Sequence, residues 1–468
     1  MPQSESVLAI DIGSGGVTAA RVDRRLEVRG IVEAPWTLVP DELSTATLSA
    51  WAVLESVEAV VRSCASEDAR PEALVLSSMM HTLVVTDAAA TPLTPVFTWL
   101  DAREFPEAAS IRTNLGSGYT ARTGAWFHPS FPAYKRARLR SGTPDLFSPG
   151  HRLHSLGSWV RHAWTGIGSE DVSTASASGL LNLGSGEWDT PTLEAIGIGD
   201  AALLPLVPSG AIETLRADAA ARLGLRTGLP VVTGGGDGFL AALGSGCRRG
   251  ERLAITLGTT AAVRRFEPLP DDVTGAGLFC YRYDRKSFLV GCASNNGGNL
   301  LDWARREFGT EKAAGPDPPV FLPFVFGERA PFWDTRRAPR WLGLRESHAR
   351  EDLGRSAVEA VAFTMANYCR LLAAKAMPEA GVLSGNGFRD GIVGRMLAAL
   401  VPFPLVTPDD AGTATLRGAA EVAFGALGTD TEDSAEVLVA RAAEVEPLGD
   451  AGLPTRFDRF VSYVNSDP

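Results

Sequence analysis

Two acidic residues stand where glycine-rich chain can carry them to a phosphate. Asp237 follows Gly234-Gly235-Gly236, which extends the apolar run from Leu229, and an Ala/Leu segment with helical character comes after it. A carboxylate at such a helix start can accept a hydroxyl proton as a phosphoryl group arrives in line. The same pattern also describes an ordinary N-cap. Asp11 lies at the end of the apolar run Val7–Ile10, beside Gly13, Ser14 and Gly15. There it can hold Mg²⁺, which keeps several waters and takes one or two carboxylates, or it can cap its own turn. Asp11 and Asp237 are the metal-binding candidates.

A phosphate chain needs many short donors at close range, and small residues let backbone N–H groups approach it. Ser14 and Gly15 meet that need, and so do Gly258, Thr259 and Thr260 about half a chain later. Either turn alone is equally an ordinary hairpin. Together they form an internal echo, strand then small turn then apolar stretch, which predicts two related domains facing one cleft. The expected division is residues 1–244 and 245–468, and 468 residues exceed what one core usually spans.

The elements that must position these residues are visible as short apolar runs ending in Gly or Ser. Val7–Ile10, Ala73–Leu76, Leu229–Thr233, Leu253–Leu257, Ser287–Cys292 and Gly381–Leu383 read as buried strands. Leu353, Ala357, Val361, Met365, Tyr368 and Leu372 keep to one side of a 3.6-residue period, which predicts a helix. The mixture indicates an α/β or α+β protein with a sheet in each domain.

A net charge of −11 argues against a general electrostatic grip on nucleic acid or anionic lipid. Only Lys135, Lys286, Lys312 and Lys375 are lysines, so an anion site is expected to use Arg or backbone N–H. Cys64, Cys247, Cys280, Cys292 and Cys369 are scattered and never in C-x-x-C spacing, which speaks against a disulfide framework or zinc site. The N-terminal residues are polar and no apolar run reaches the ~18 residues of a membrane span, so a cytoplasmic location is expected.

These motifs, in this order, resemble the FGGY carbohydrate kinases of the sugar kinase, Hsp70 and actin superfamily. Asp11-Ile12-Gly13-Ser14 and Thr256-Leu257-Gly258-Thr259-Thr260 look like the two phosphate motifs, and Gly236-Asp237-Gly238 resembles the segment of the catalytic Asp. Asn295-Asn296-Gly297-Gly298-Asn299 and the stretch from Leu322 to Asp334 are similar to signatures of the C-terminal domain. Gly385-Asn386-Gly387 with Arg389 resembles the adenosine motif. The resemblance implies two actin-like (ribonuclease H-like) domains with a central cleft, ATP and Mg²⁺, and Asp237 as general base. It assigns Gly298, Gly385, Asn386 and Arg389 to the nucleotide. A homodimer is common in such families.

The acceptor region by resemblance is Ser77-Ser78-Met79-Met80-His81 with Trp99-Leu100-Asp101-Ala102-Arg103. Met80, His81, Trp99, Asp101 and Arg103, with Asp237, are the expected sugar contacts. Each of Trp99, His81 and the Asp101–Arg103 pair also has an ordinary structural reading, as core packing, a satisfied core histidine and a surface pair. Thr123-Gly124-Ala125-Trp126-Phe127-His128-Pro129 resembles a segment of gluconate kinases, which adds His128. A sugar acid suits Arg103 or His81, while xylulose or another ketose needs hydroxyl partners of the same residue types. A non-catalytic actin-like assembly protein would keep the fold. The chain departs from the family pattern at Met79 for Gln, Thr18 for Lys, Asn386 for Gly, Ala399 for Asp and Thr413 for Glu.

Overall fold

The computed structural model describes residues 6–38, 45–65, 70–199, 202–273, 275–309, 315, 317–429, 431, 437, 439 and 441–466. The residues before Ser6, whose polarity bears on location, lie outside that set. Six strands form the first sheet: β1 (Ser6–Gly13), β2 (Gly16–Asp23), β3 (Val28–Pro35), β4 (Leu74–Ser78), β5 (Ile212–Thr214) and β6 (Pro230–Gly236). Their spatial order is β5-β6-β4-β1-β2-β3. The second sheet contains β7 (Arg252–Leu257), β8 (Ala261–Glu267), β9 (Phe279–Arg282), β10 (Phe288–Ser294), β11 (Ala380–Ser384), β12 (Leu405–Thr407) and β13 (Ala443–Glu444). Its order is β9-β10-β8-β7-β11-β12-β13.

The two sheets repeat one plan. In each, an antiparallel meander (β1–β2–β3; β7–β8–β10) is followed by two parallel neighbours (β4 and β6; β11 and β12) and an antiparallel edge strand. All six apolar runs named above fall in these strands, apart from the first residues Ala73, Leu229 and Ser287. The central strands are apolar on both faces because both faces are covered. Leu8, Ile10 and Ile12 pack under α1 (Ala50–Cys64), through its Val53, Val57 and Val61. Val7 and Ala9 face the opposite way, toward the helices α2 (Asp237–Gly244) and α5 (Ala414–Ala426). Between these in sequence come α3 (Gly298–Phe308) and α4 (Arg350–Ala373), and α4 carries the expected apolar stripe into the second core.

Helix α5 lies late in the chain yet packs on the first sheet and crosses α2 at backbone contact. A Cβ on Gly244 would fall 1.9 Å from the Ala414 carbonyl oxygen, and one on Gly418 would fall 1.9 Å from that of Leu240. The packing therefore runs across the 244/245 division that the sequence suggests. All five cysteines are free and buried. Among the described residues no helix is long and apolar enough to cross a membrane.

The crossing yields a stability test. Gly418→Ala forces backbone apart and is expected to cost about 1–3 kcal/mol, read as a lower thermal midpoint. Gly425→Ala, on the same helix with nothing within 4 Å of its Cβ position, is expected to leave the midpoint unchanged or slightly raised. Equal effects from the two would remove the close crossing as the cause.

Candidate active site

A cavity of about 850 Å³ opens between the two sheets, lined from one side by the β1–β2 turn and from the other by the β7–β8 turn. In the first turn Gly13 and Gly16 close the hairpin around Ser14 and Gly15. Trp36 takes both carbonyls of the turn, donating its backbone N–H to Gly15 O at 3.1 Å and its indole N–H to Ser14 O at 3.1 Å. In the second turn Gly258 N–H donates to Thr260 O at 2.9 Å. The N-terminus of α3 is clamped on this turn: Gly298 N–H donates to Gly258 O at 2.8 Å and Asn299 N–H to Thr259 O at 3.2 Å. A Cβ on Gly298 would meet Gly258 O at 2.4 Å. Gly298 thus builds the turn, and its own N–H is already bonded.

Asp11, Gly13, Ser14, Gly15, Gly258, Thr259, Thr260, Gly298, Gly385, Asn386 and Arg389 all line this one cavity, together with Asp237. At its outer end Gly385 has φ +94° and a Cβ there would come 2.5 Å from Leu257 O, so only glycine lets this loop lie against the β7 end. Asn386 and Arg389 are exposed on the rim.

The Gly-Gly-Gly run before Asp237 has a structural cause. Pairing of β6 with β4 slips register between Val232 and Gly235, and Gly234 takes φ +66° with its Cβ position 1.7 Å from Leu76 O. This bulge re-aims the end of β6. Ser173 Oγ donates to the Asp171 carboxylate and accepts Gly236 N–H at 3.4 Å, holding the strand end from behind. Asp237 then opens α2, and its Oδ1 accepts Gly238 N–H at 2.7 Å and Met80 N–H at 3.4 Å.

Asp11 Oδ1 accepts the Ser77 hydroxyl at 2.8 Å. Burial, with a smaller repulsion from Asp237, raises its carboxyl to about 7, against the Ser77 bond that lowers it. Burial also raises Asp237, opposed by Arg264 and its two backbone donors. Two half-buried carboxylates therefore lie on the wall of one cavity, close enough to repel each other. Among the described residues no group of three or more His, Cys, Asp or Glu is placed to hold a metal.

A chamber of about 60 Å³ adjoins this cavity, lined by Met80, His81, Trp99, Phe279, Tyr281, Ala293, Arg329 and Trp333. Ser14, Asp237, Thr260 and Arg264 line both spaces. His81 sits at φ +63°, and its Nδ1–H donates to Ala177 O at 2.7 Å. Burial, then the neighbouring Arg329, hold it neutral, well below the usual histidine range. The Arg329 guanidinium lies 5.4 Å from the centre of the Trp99 ring.

Three expected sugar contacts do not line the chamber. Asp101 is buried and bonded to Arg103, whose Nε is at 2.9 Å, and to Arg138 at 3.4 Å, so the pair is committed to itself. His128 is buried with its ring edge-on to Trp333 at 5.6 Å and its Nδ1 accepting Ser130 N–H at 3.2 Å. Burial pushes it down to about 3, which keeps it uncharged. Arg264, Phe279, Tyr281, Arg329 and Trp333 line the chamber without having been singled out from sequence. The available signals were a charge at the end of the apolar run Ala261-Ala262-Val263 and the place of Arg329 and Trp333 inside the Leu322–Asp334 stretch.

A two-domain α/β cleft with paired small-residue turns and a half-buried carboxylate on its wall has the parts a phosphotransferase needs. Models of the FGGY family of carbohydrate kinases match the chain over residues 6–244 for the N-terminal domain and 253–427 for the C-terminal domain. The chain belongs to the FGGY family and is a carbohydrate kinase, which sets aside the assembly-protein alternative. It is 28% identical over 463 residues to the gluconokinase of Bacillus licheniformis, covering 92% of this chain and 89% of that one. It is 23% identical to the xylulose kinase of Bacillus subtilis, covering 94% and 92%. Two solved structures share the fold at a TM-score of 0.87 and 0.86: a xylulose kinase and a gluconate kinase, both from Lactobacillus acidophilus. They are 23% and 22% identical, each covering 99% of this chain and 98% of its own.

The raised Asp11 sets a pH test. The folded state binds its proton more tightly than the unfolded chain, from 3.8 to about 7. Its favourable contribution is therefore full below pH 3.8 and is lost as pH rises toward 7. Asp11→Asn is expected to melt progressively higher than the parent between pH 4 and 7, with a constant gap above pH 7. A gap independent of pH in thermal scans would contradict this.

Proposed function

We propose that the chain transfers the γ-phosphoryl group of ATP to a hydroxyl of D-gluconate, with Asp237 as general base. The observation that carries this reading is the position of Asp237 on the wall shared by the large cavity and the chamber. An acceptor hydroxyl in the chamber then gives its proton to the Asp237 carboxylate while its oxygen attacks phosphorus and ADP leaves. The two small-residue turns supply short donors for the phosphates, and the Gly385 loop offers a side-chain-free surface for a flat base. Asp11 and Asp237 are the donor set that suits Mg²⁺. When bound, Mg²⁺ neutralises charge on the phosphate oxygens.

The acid is favoured by Arg329, the cation that lines only the chamber, whose buried Nε has no partner. Arg103, held by Asp101, and neutral His81 are less suited to a carboxylate. Gluconokinases among the relatives point the same way. Five unpaired cysteines fit a reducing cytoplasm.

The test is turnover with ATP and Mg²⁺ against D-gluconate, other aldonates, D-xylulose, xylitol and glycerol. D-gluconate is expected to give the highest kcat/KM, and Asp237→Asn to lower kcat by at least about 10²-fold. Preference for D-xylulose would make the chain a ketose kinase. Asp237→Asn within tenfold of the parent would remove the general-base assignment.

A further inference from the structure

The inner end of the large cavity is short of positive charge. Asp11 and Asp237 are both there, and Ser14, Thr260 and Thr18 on its walls are neutral. Thr18 stands directly opposite Asp11 in the β1–β2 register. Three cations line the cavity: Arg264, Arg305 and Arg389. Arg305 is partly exposed and paired with Asp302 and Asp390, and Arg389 is on the rim. Arg264 alone of the three also lines the acceptor chamber.

Arg264 is 9% exposed, and its Nε is buried with no partner. Its one hydrogen bond runs from Nη1 to Thr256 Oγ1 at 3.3 Å, and that hydroxyl is in turn 3.1 Å from Ser384 Oγ. The guanidinium rests on the backbone of α2 beside the proposed base: a Cβ on Gly238 would fall 3.0 Å from its Nε and 3.1 Å from its Cζ. A buried guanidinium so lightly bonded is costly to keep in a folded protein. Asp237 supplies an opposite charge nearby, yet the buried Nε is left as a donor with no acceptor.

We propose that Arg264 is a catalytic residue whose guanidinium binds the equatorial oxygens of the γ-phosphoryl group in transfer. This rests on the ATP-dependent reaction proposed above. The bond from the acceptor oxygen to phosphorus forms as the β–γ bridging P–O bond breaks, and the acceptor proton goes to Asp237. Charge spreads over three phosphoryl oxygens, which a planar, delocalised cation fits better than a point charge. Arg329 lines only the far chamber and is left to the acceptor, whereas Arg264 reaches both spaces.

The experiment is steady-state kinetics of the full chain with whichever acceptor the parent uses best, varying ATP and acceptor separately. Arg264→Gln is expected to lower kcat by about 10³-fold with both KM values within threefold of the parent. Adding Thr18→Lys to Arg264→Gln places an ammonium beside Asp11 and is expected to recover kcat at least tenfold, which a purely structural role would not permit. Arg264→Lys keeps charge and bulk and guards against misfolding of the Gln variant; its kcat is expected 10- to 100-fold below the parent. Parental kcat in Arg264→Lys, or a kcat within tenfold in Arg264→Gln, overturns the proposal. So does a large rise in acceptor KM with kcat retained, which would make Arg264 an acceptor anchor. Asp237→Asn assayed in parallel separates the two ideas: turnover lost in Arg264→Gln but kept in Asp237→Asn refutes the base and leaves Arg264 standing.

Discussion

The backbone crossing of α2 and α5 is the constraint from which the site's geometry follows. Helix α2 begins at Asp237, and α5 begins beside Thr413, Thr415 and Leu416 on the cavity wall. With Gly244 and Gly418 in contact, neither helix can slide or roll without a steric clash. Asp237 and the wall near the Gly385 loop are thereby held in one rigid pair. Because α5 also packs on β1 and β4 through Leu416, Ala419 and Ala420, the β1–β2 turn shares the same reference frame.

Around that frame the chain accepts unfavourable electrostatics. Asp11 and Asp237 are desolvated near each other, and Arg264 and Arg329 are buried with unpartnered Nε atoms. Elsewhere some buried charges are matched, as Arg456 is with Glu359 and Arg161 with Glu213, while buried Arg136 keeps Nε and Nη1 without a partner. Several desolvated charged groups on the walls of one cleft are the pattern expected where binding and transfer, and not stability, set the residue types.

The two strand–turn–strand units, the run of glycines before Asp237 and the α4 stripe were legible because each depends on residues close in sequence. Small residues at a hairpin and a 3.6-residue period leave the same mark wherever the chain folds. The acceptor side was less legible. Asp101 and Arg103 have the right chemistry but are bonded to each other and to Arg138, and His128 stands behind Trp333. Arg264, on β8, reaches Asp237 only because the second sheet folds against α2.

By itself the amino-acid order determined the repeated α/β plan, the two small-residue turns and the acid that follows three glycines. These rest on local backbone preference and on apolar periodicity. Only the tertiary structure decided which charges stay free to meet a substrate. Whether a guanidinium is paired or left waiting depends on side chains that approach from far along the chain, and no local pattern records that distance.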